Sequence, residues 1–205
     1  MSHIAVERLV VGEMGVNCYI VENTKTKECF VVDPGAEADR FFARIADRKP
    51  VAVLLTHGHF DHIGAVDAVC AQYQIPLYMH AGDANKLTDA NANVSGLFGF
   101  PLVQSTKPSF VEEGQALMLA GMEITVLHTP GHSAGGVCYL LPENQGIITG
   151  DTLFSDGYGR TDFSDGDFGV LMRSLKRLMR LSPRMITYPG HGAFGVVGRD
   201  AAEES

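Results

Sequence analysis

Paired cysteines are missing from this chain: Cys18, Cys29, Cys70 and Cys138 stand in no C-x-x-C spacing. That absence removes a zinc ribbon and a dithiol redox motif from consideration. Each cysteine lies in or beside an apolar run, as expected of a small buried hydrophobe in a reducing compartment. Long apolar runs are lacking as well, so no segment reads as a membrane span. Residues 1–7 show no basic stretch followed by an apolar one, so no secretory leader is expected there. A basic excess is also absent. Sixteen Lys and Arg against 24 Asp and Glu leave a formal net charge of −8, which argues against a nucleic-acid binder, since phosphate recognition uses a basic face. Together these absences predict a cytoplasmic protein acting on small molecules, with no membrane or nucleic-acid partner. They carry no signature of oligomeric state.

What is present is the composition of an ordinary globular protein: 45% hydrophobic and 20% charged residues over 205 positions, enough for a sizeable core. No linker or compositional break divides it, so residues 1–205 read as one domain. Strands are predicted at 4–11, 18–22 and 29–32, the last closed by Asp33-Pro34-Gly35. Phe41, Phe42 and Ile45 predict a helix over 37–48. The run 51–55 is a strand buried on both faces. From Asp61, the spacing of Ile63, Val66, Val69, Cys70 and Tyr73 predicts one amphipathic helix. Residues 80–90 read as helical and 91–108 as a long loop carrying Leu97-Phe98-Gly99-Phe100-Pro101. That cluster reads first as a plug anchoring the loop, and second as a hydrophobic wall over a site. Hairpins are predicted over 116–128 and 137–149, a helix over 167–181 with Arg173, Lys176, Arg177 and Arg180 on a solvated face, and a last strand at 185–188. Strands in two groups with helices at intervals predict an α+β chain of two packed sheets with helices outside.

Chemistry concentrates at strand ends. The run 51–55 delivers His57-Gly58-His59-Phe60-Asp61-His62, three imidazoles and a carboxylate in six residues, the side chains that bind borderline divalent metals. His57 and His59 are two apart and share a side in an extended segment. Asp61 and His62 point elsewhere if a helix starts there, so one loop can serve two neighbouring metal positions. Three further strands run into Thr129-Pro130-Gly131-His132, Gly150-Asp151 and Pro189-Gly190-His191. Gly and Pro before each ligand make stiff turns that limit the entropy lost on ordering a site.

These four segments, with Asn17-Cys18-Tyr19 and Val32-Asp33-Pro34-Gly35, make the chain resemble the metallo-β-lactamase superfamily along nearly its whole length. Within that family it is similar to the glyoxalase II-like (hydroxyacylglutathione hydrolase-like) thioester hydrolases. The resemblance implies an αββα sandwich and two divalent metal ions, zinc first, with iron or manganese also compatible. It puts His57, His59 and His132 on one metal, Asp61, His62 and His191 on the other, and Asp151 between them. Two cations with two carboxylates leave the site net positive, so bound water ionises near neutrality and a bridging hydroxide can attack an ester or thioester carbonyl. Asp61 would ligate and also orient the water or accept its proton. A thiolate leaving group needs little protonation, which suits a site without a strong acid.

Gly159-Arg160-Thr161-Asp162 resembles the small single-domain members and also the persulfide dioxygenases. Arg160 and Asp162 read as a buried pair bracing the ligand loop, with Arg160 or Tyr158 meeting the substrate as the other reading. Full-length glyoxalase II enzymes carry a helical domain with basic residues for glutathione. The sequence continues past His191 only to Ser205, so those residues are not carried over. The expected substrate is therefore a small thioester or ester, S-lactoylglutathione among them. The rival expectation is an oxidoreductase, a persulfide dioxygenase holding one iron with His57, His132 and Asp151. His3, His80 and His128 are read as structural, and Ser133, which sits in no nucleophile elbow, as a turn residue.

Overall fold

The computed structural model describes residues 3–181 and 185–197. Within them lie two six-stranded sheets, each laid out in chain order. The first holds β1 (Ile4–Val11), β2 (Val16–Asn23), β3 (Glu28–Val32), β4 (Lys49–Leu54), β5 (Leu77–His80) and β6 (Pro108–Val111). β1 to β3 are antiparallel and β3 to β6 parallel. The second holds β7 (Ala116–Leu119), β8 (Met122–His128), β9 (Val137–Leu140), β10 (Ile147–Gly150), β11 (Ile186–Pro189) and β12 (Gly195–Val196), with β10 and β11 parallel. Parallel neighbours need crossovers. These are supplied by α1 (Ala38–Arg44) between β3 and β4, by α2 (Phe60–Ile63) with α3 (Val66–Tyr73) between β4 and β5, by two 3₁₀ segments (Ala81–Leu87 and Ser95–Phe98) between β5 and β6, and by α4 (Phe168–Leu178) between β10 and β11.

The two-residue side-chain period of a strand explains the layering. Val31, Val53 and Leu55 point outward and pack under α1 and α3 with Phe41, Ile45, Val66 and Val69. Their neighbours Val32 and Leu54 point inward, where they join Ile124, Val126, Tyr139 and Ile148 of the second sheet. On that sheet's outer face Cys138 and Ile147 meet Leu171, Leu175 and Leu178 of α4. The order is helix, sheet, sheet, helix, the αββα sandwich expected. All four cysteines are free and buried. No helix among the described residues is long and apolar enough to cross a membrane.

Several local expectations change. The helix predicted from Asp61 is two helices, broken at Gly64-Ala65 where the chain crosses the 33–35 turn. A Cβ on Gly64 would overlap the Gly35 carbonyl, and the Ala65 amide donates to Pro34 O at 2.8 Å. Helix α1 stops at Arg44, short of the predicted 48, and β4 starts earlier, at Lys49. β5 and β6 lie where no strand is predicted, meeting the segments read as helix and loop only at His80 and Pro108, and residues 81–87 form a tight 3₁₀ turn rather than an α-helix. The cluster at 97–101 is not a plug: Leu97, Phe98 and Phe100 are 73%, 47% and 49% exposed, and Phe98 lines the groove described below. The wall reading is the one that holds.

Candidate metal centre

The seven expected ligands converge where strand ends of the two sheets meet. Their orientation begins at Asp33, a buried carboxylate at the end of β3. It accepts the Thr56 amide at 2.8 Å and the Thr56 hydroxyl at 2.6 Å, and its Oδ2 lies 2.9 Å from His62 Nδ1. With its proton committed to Asp33, the Thr56 hydroxyl accepts from His57 Nδ1, 3.1 Å away. One carboxylate thus sets the tautomer of two histidines and leaves each Nε2 free to ligate. His132 Nδ1 faces the Arg160 carbonyl at 2.7 Å and His191 Nδ1 the Met14 carbonyl at 3.2 Å, with the same effect.

The freed atoms face one another. His132 Nε2 is 3.0 Å from His59 Nδ1. Asp151 Oδ1 is 3.4 Å from His62 Nε2, while its Oδ2 is 3.6 Å from His132 Nε2 and 3.5 Å from His191 Nε2. Asp61 Oδ2 lies 3.3 Å from His191 Nε2 and 3.7 Å from His62 Nε2. Ligand atoms within 4.8 Å of one another form the groups His57, His59, His132 and Asp61, His62, His191. A third such group, Asp33, His57, His62, is spoken for, because both Asp33 oxygens already hold Thr56 and His62.

This donor set fits divalent cations. Three buried atoms at the centre, His57 Nε2, His62 Nε2 and Asp151 Oδ1, have no hydrogen-bond partner. Each such orphan costs about 1–3 kcal/mol unless something satisfies it. Ligands about 2.0–2.1 Å from a tetrahedral zinc stand about 3.3 Å apart, close to the separations seen. Charge agrees. Burial, then the neighbouring imidazoles, hold His57 and His59 well below the usual histidine range, so both are neutral donors. Burial opposes the charge of His62, but Asp61, Asp151 and Asp33 outweigh it and push the imidazole up to about 10. In the metal-free protein His62 is itself the cation among these carboxylates. Burial would raise Asp61, yet His62 and His191 bring it below the ordinary carboxylate range.

Residues with no obvious ligand chemistry hold the loops. Buried Asp83 accepts the Gly58 amide at 2.8 Å and the Gly135 amide at 2.6 Å, tying the His57–His62 loop to the turn after His132. Lys86, 2% exposed, bridges Asp83 and Asp165. Asn17 Nδ2 and Tyr19 OH donate to the Pro189 carbonyl at 2.8 and 2.6 Å, fixing the His191 turn. At Gly190 any Cβ would overlap Asp151 Oδ1. Sequence reasoning missed Asp83, Lys86 and Asp165. The available signal was the three-residue spacing of an acid and a base in a segment otherwise read as plain helix.

A cavity of about 370 Å³ opens on the centre, lined by His59, Asp61, His132, Asp151 and His191, with Phe60, Phe98, Phe163 and Arg160 around them. The Arg160–Asp162 pair forms, at 2.6 and 2.5 Å, but its side chains are 59% and 64% exposed rather than buried. The brace on His132 is the Arg160 carbonyl. Its guanidinium lies over Phe163, 4.4 Å from the ring centroid. Tyr158 packs towards Phe168, 6.1 Å between centroids, and is not among the residues lining this cavity. His128 ends β8, donates from Nε2 to Ala134 O at 3.0 Å, and stacks on His80 at 4.0 Å. Ser133 is buried in the turn after His132.

The same sequence and geometry recur elsewhere. Residues 11–191 match the metallo-beta-lactamase superfamily. The chain belongs to that superfamily. It is 35% identical over 189 residues to a probable metallo-hydrolase, YqgX, of Bacillus subtilis, covering 90% of this chain and 89% of the relative. It is 32% identical to the hydroxyacylglutathione hydrolase GloC of Haemophilus influenzae, covering 95% and 94%. Among solved structures, the BLEG-1 B3 metallo-beta-lactamase superposes with a TM-score of 0.90 at 34% identity, covering 95% of each chain. A di-iron-bound form of TTHA1623 gives 0.86 at 34%, covering 96% and 98%. ETHE1 from Myxococcus xanthus gives 0.75 at 26%, covering 94% of this chain and 80% of its own. Membership in this superfamily, with the His/Asp clusters, makes the chain a metallo-hydrolase type that takes divalent metal.

Proposed function

We propose that this chain is a single-domain, cytoplasmic, binuclear metal-dependent hydrolase of thioesters or related esters, of the hydroxyacylglutathione hydrolase type. One observation carries the reading. Asp151 presents one oxygen to His62 and the other to His132 and His191, so it joins the two ligand groups into one site. On this reading His57, His59 and His132 hold one cation and Asp61, His62 and His191 the other, with Asp151 shared. Zinc is expected of this nitrogen and oxygen set, and iron or manganese is compatible. The Haemophilus influenzae relative supports the activity, and the di-iron neighbour supports two metals.

Divalent cations held there supply Lewis acidity and bring the ionisation of water towards neutral pH. The chain's own residues do the rest. Asp61 lines the cavity, so its carboxylate can orient an attacking water and take up a proton there. Phe60, Phe98 and Phe163 shield the reacting carbonyl from bulk water, which strengthens every electrostatic contact in the cavity. Arg160, exposed at the rim, can meet a polar or anionic part of the substrate if Asp162 releases it. Tyr158 would reach substrate only by turning away from Phe168.

Metal analysis beside a substrate panel tests this. Two divalent ions per chain with turnover of a thioester or lactone is the expected result, and a folded, metal-loaded Asp61→Ala protein should lose that turnover. The ETHE1 likeness favours a second reading, a mononuclear iron persulfide dioxygenase using His57, His132 and Asp151. One iron per chain with oxygen consumed on glutathione persulfide would establish it and overturn the hydrolase.

A further inference from the structure

Beside the metal centre lies a second cavity of about 380 Å³ with different chemistry. It shares Met14, Phe60, Asp61 and Phe98 with the first, so the two form one groove running past Asp61. Beyond Asp61 its walls are Val11, Ala36, Phe100 and Leu102. The Phe60 ring, held on the metal-binding loop, lies 5.1 Å from Phe98 and 5.4 Å from Phe100, centroid to centroid. Met14, Phe98 and Phe100 are all close to half exposed. Large apolar side chains left in solvent beside a reactive centre mark a ligand surface. Charge sharpens the choice of ligand. The titratable residues lining this arm are Glu13 and Asp61, both acidic, and among the described lining residues none is basic. The other arm has Arg160.

We infer that the arm between Phe60 and Leu102 binds an uncharged, unbranched apolar acyl chain, so that the substrates are acyl thioesters or esters of moderate chain length. The inference rests on the hydrolase reading. Apolar walls reward each methylene removed from water, and the Glu13 carboxylate, which belongs to neither ligand group, repels an acyl group that ends in an anion. A polar or anionic thiol then has the arm carrying Arg160. The lactoyl group, short and hydroxylated, leaves most of the apolar arm unfilled.

The test uses metal-loaded protein and acetyl, butyryl, hexanoyl, octanoyl, lactoyl and succinyl thioesters of one neutral thiol. The expected kcat/KM rises about fourfold per added methylene, the worth of one buried CH₂, until the arm is full, and succinyl is the poorest substrate. Phe100→Ala should lower the octanoyl-to-acetyl ratio by roughly fivefold, as expected for loss of part of the apolar wall. A second arm needs no turnover: binding of the n-alkanols from butanol to decanol, read from the chemical shift of the Met14 methyl group, should tighten with each methylene and weaken in Phe100→Ala. A flat chain-length series with acetyl turned over overturns the inference alone. No turnover at any chain length overturns the hydrolase reading, and the alkanol series then decides the groove by itself: tightening supports it and a flat response overturns it.

Discussion

Replacing Asp33 with Asn should weaken metal at both positions although Asp33 belongs to neither ligand group. Asp33 sits in the left-handed region (φ 52°), a conformation Asn also tolerates, so the turn survives. The Thr56 amide can only donate, so the Asn oxygen must take the place of Oδ1. The Asn NH₂ then stands where Oδ2 accepted from the Thr56 hydroxyl and faced His62 Nδ1. A donor there turns His62 Nδ1 into an acceptor and moves its proton to Nε2, the atom that faces Asp151 and Asp61. The Thr56 hydroxyl, no longer donating to residue 33, can turn its proton towards His57 Nδ1 and do the same to His57. Loss of such orienting partners costs about 10–100-fold in metal affinity, which is about 1.4–2.7 kcal/mol per ion.

The assay is competition with a chelator of known affinity, with bound metal counted by mass spectrometry and the fold checked by circular dichroism. Thr56→Val separates the two effects. It removes the hydroxyl beside His57 while leaving the Asp33–His62 contact, so one ion should weaken and the other should not. A folded Asp33→Asn protein that binds two ions with wild-type affinity would refute the tautomer argument.

Lys86→Met leaves buried Asp83 without its cation and should cost about 3–5 kcal/mol, measured by urea denaturation against the parent protein. In metal-free protein the histidines predict a stability maximum near the ordinary histidine pKa. His62, raised to about 10, contributes stability that is complete below about 6.5 and lost as pH climbs through 10. His57 and His59, held low, contribute stability present above about 6.5 and lost below it. Thermal melts from pH 5 to pH 10 in chelator should show the peak. Metal uptake at pH 7.5 should release a proton from His62, seen as calorimetric heats that differ between buffers of different ionisation enthalpy.

Sequence pattern reveals the strands that bury both faces, because 51–55 and 29–32 are apolar at every position and end in turn residues. It reveals the ligand segments for a related reason: His, Asp, Gly and Pro carry their chemistry and their turn geometry locally. Hidden were features fixed by partners distant in sequence. Leu77–His80 is too short to show a period, and becomes a strand by pairing with β4 and β6. The break at Gly64 depends on Gly35, twenty-nine residues earlier. Asp83 looks like any surface acid until its acceptance of the Gly58 and Gly135 amides is seen. The exposed Arg160–Asp162 pair shows the converse limit, since adjacency in sequence predicts that two charges meet and says nothing of how much water surrounds them.

The centre lies on the seam between the sheets, and the seam is stitched by polar contacts rather than by apolar packing alone. Val137 N of the second sheet donates to Thr56 O at 2.8 Å, and Tyr139 OH to Leu55 O at 2.8 Å. From the first sheet, Tyr19 OH and the Asn17 side chain reach Pro189, and the Asn17 amide donates to Gly190 O at 2.8 Å. These contacts involve residues one or two positions from His57 and His191, so the separation of the sheets sets the distance between ligands contributed by different sheets. Buried hydrogen bonds hold that separation more narrowly than side-chain packing can, because their strength falls steeply with distance and angle. The arrangement also explains why Asp151 comes from β10, flanked by β9 and β11. A shared ligand has to lie between groups that arrive from both sheets, and the end of an interior strand beside the seam meets that condition.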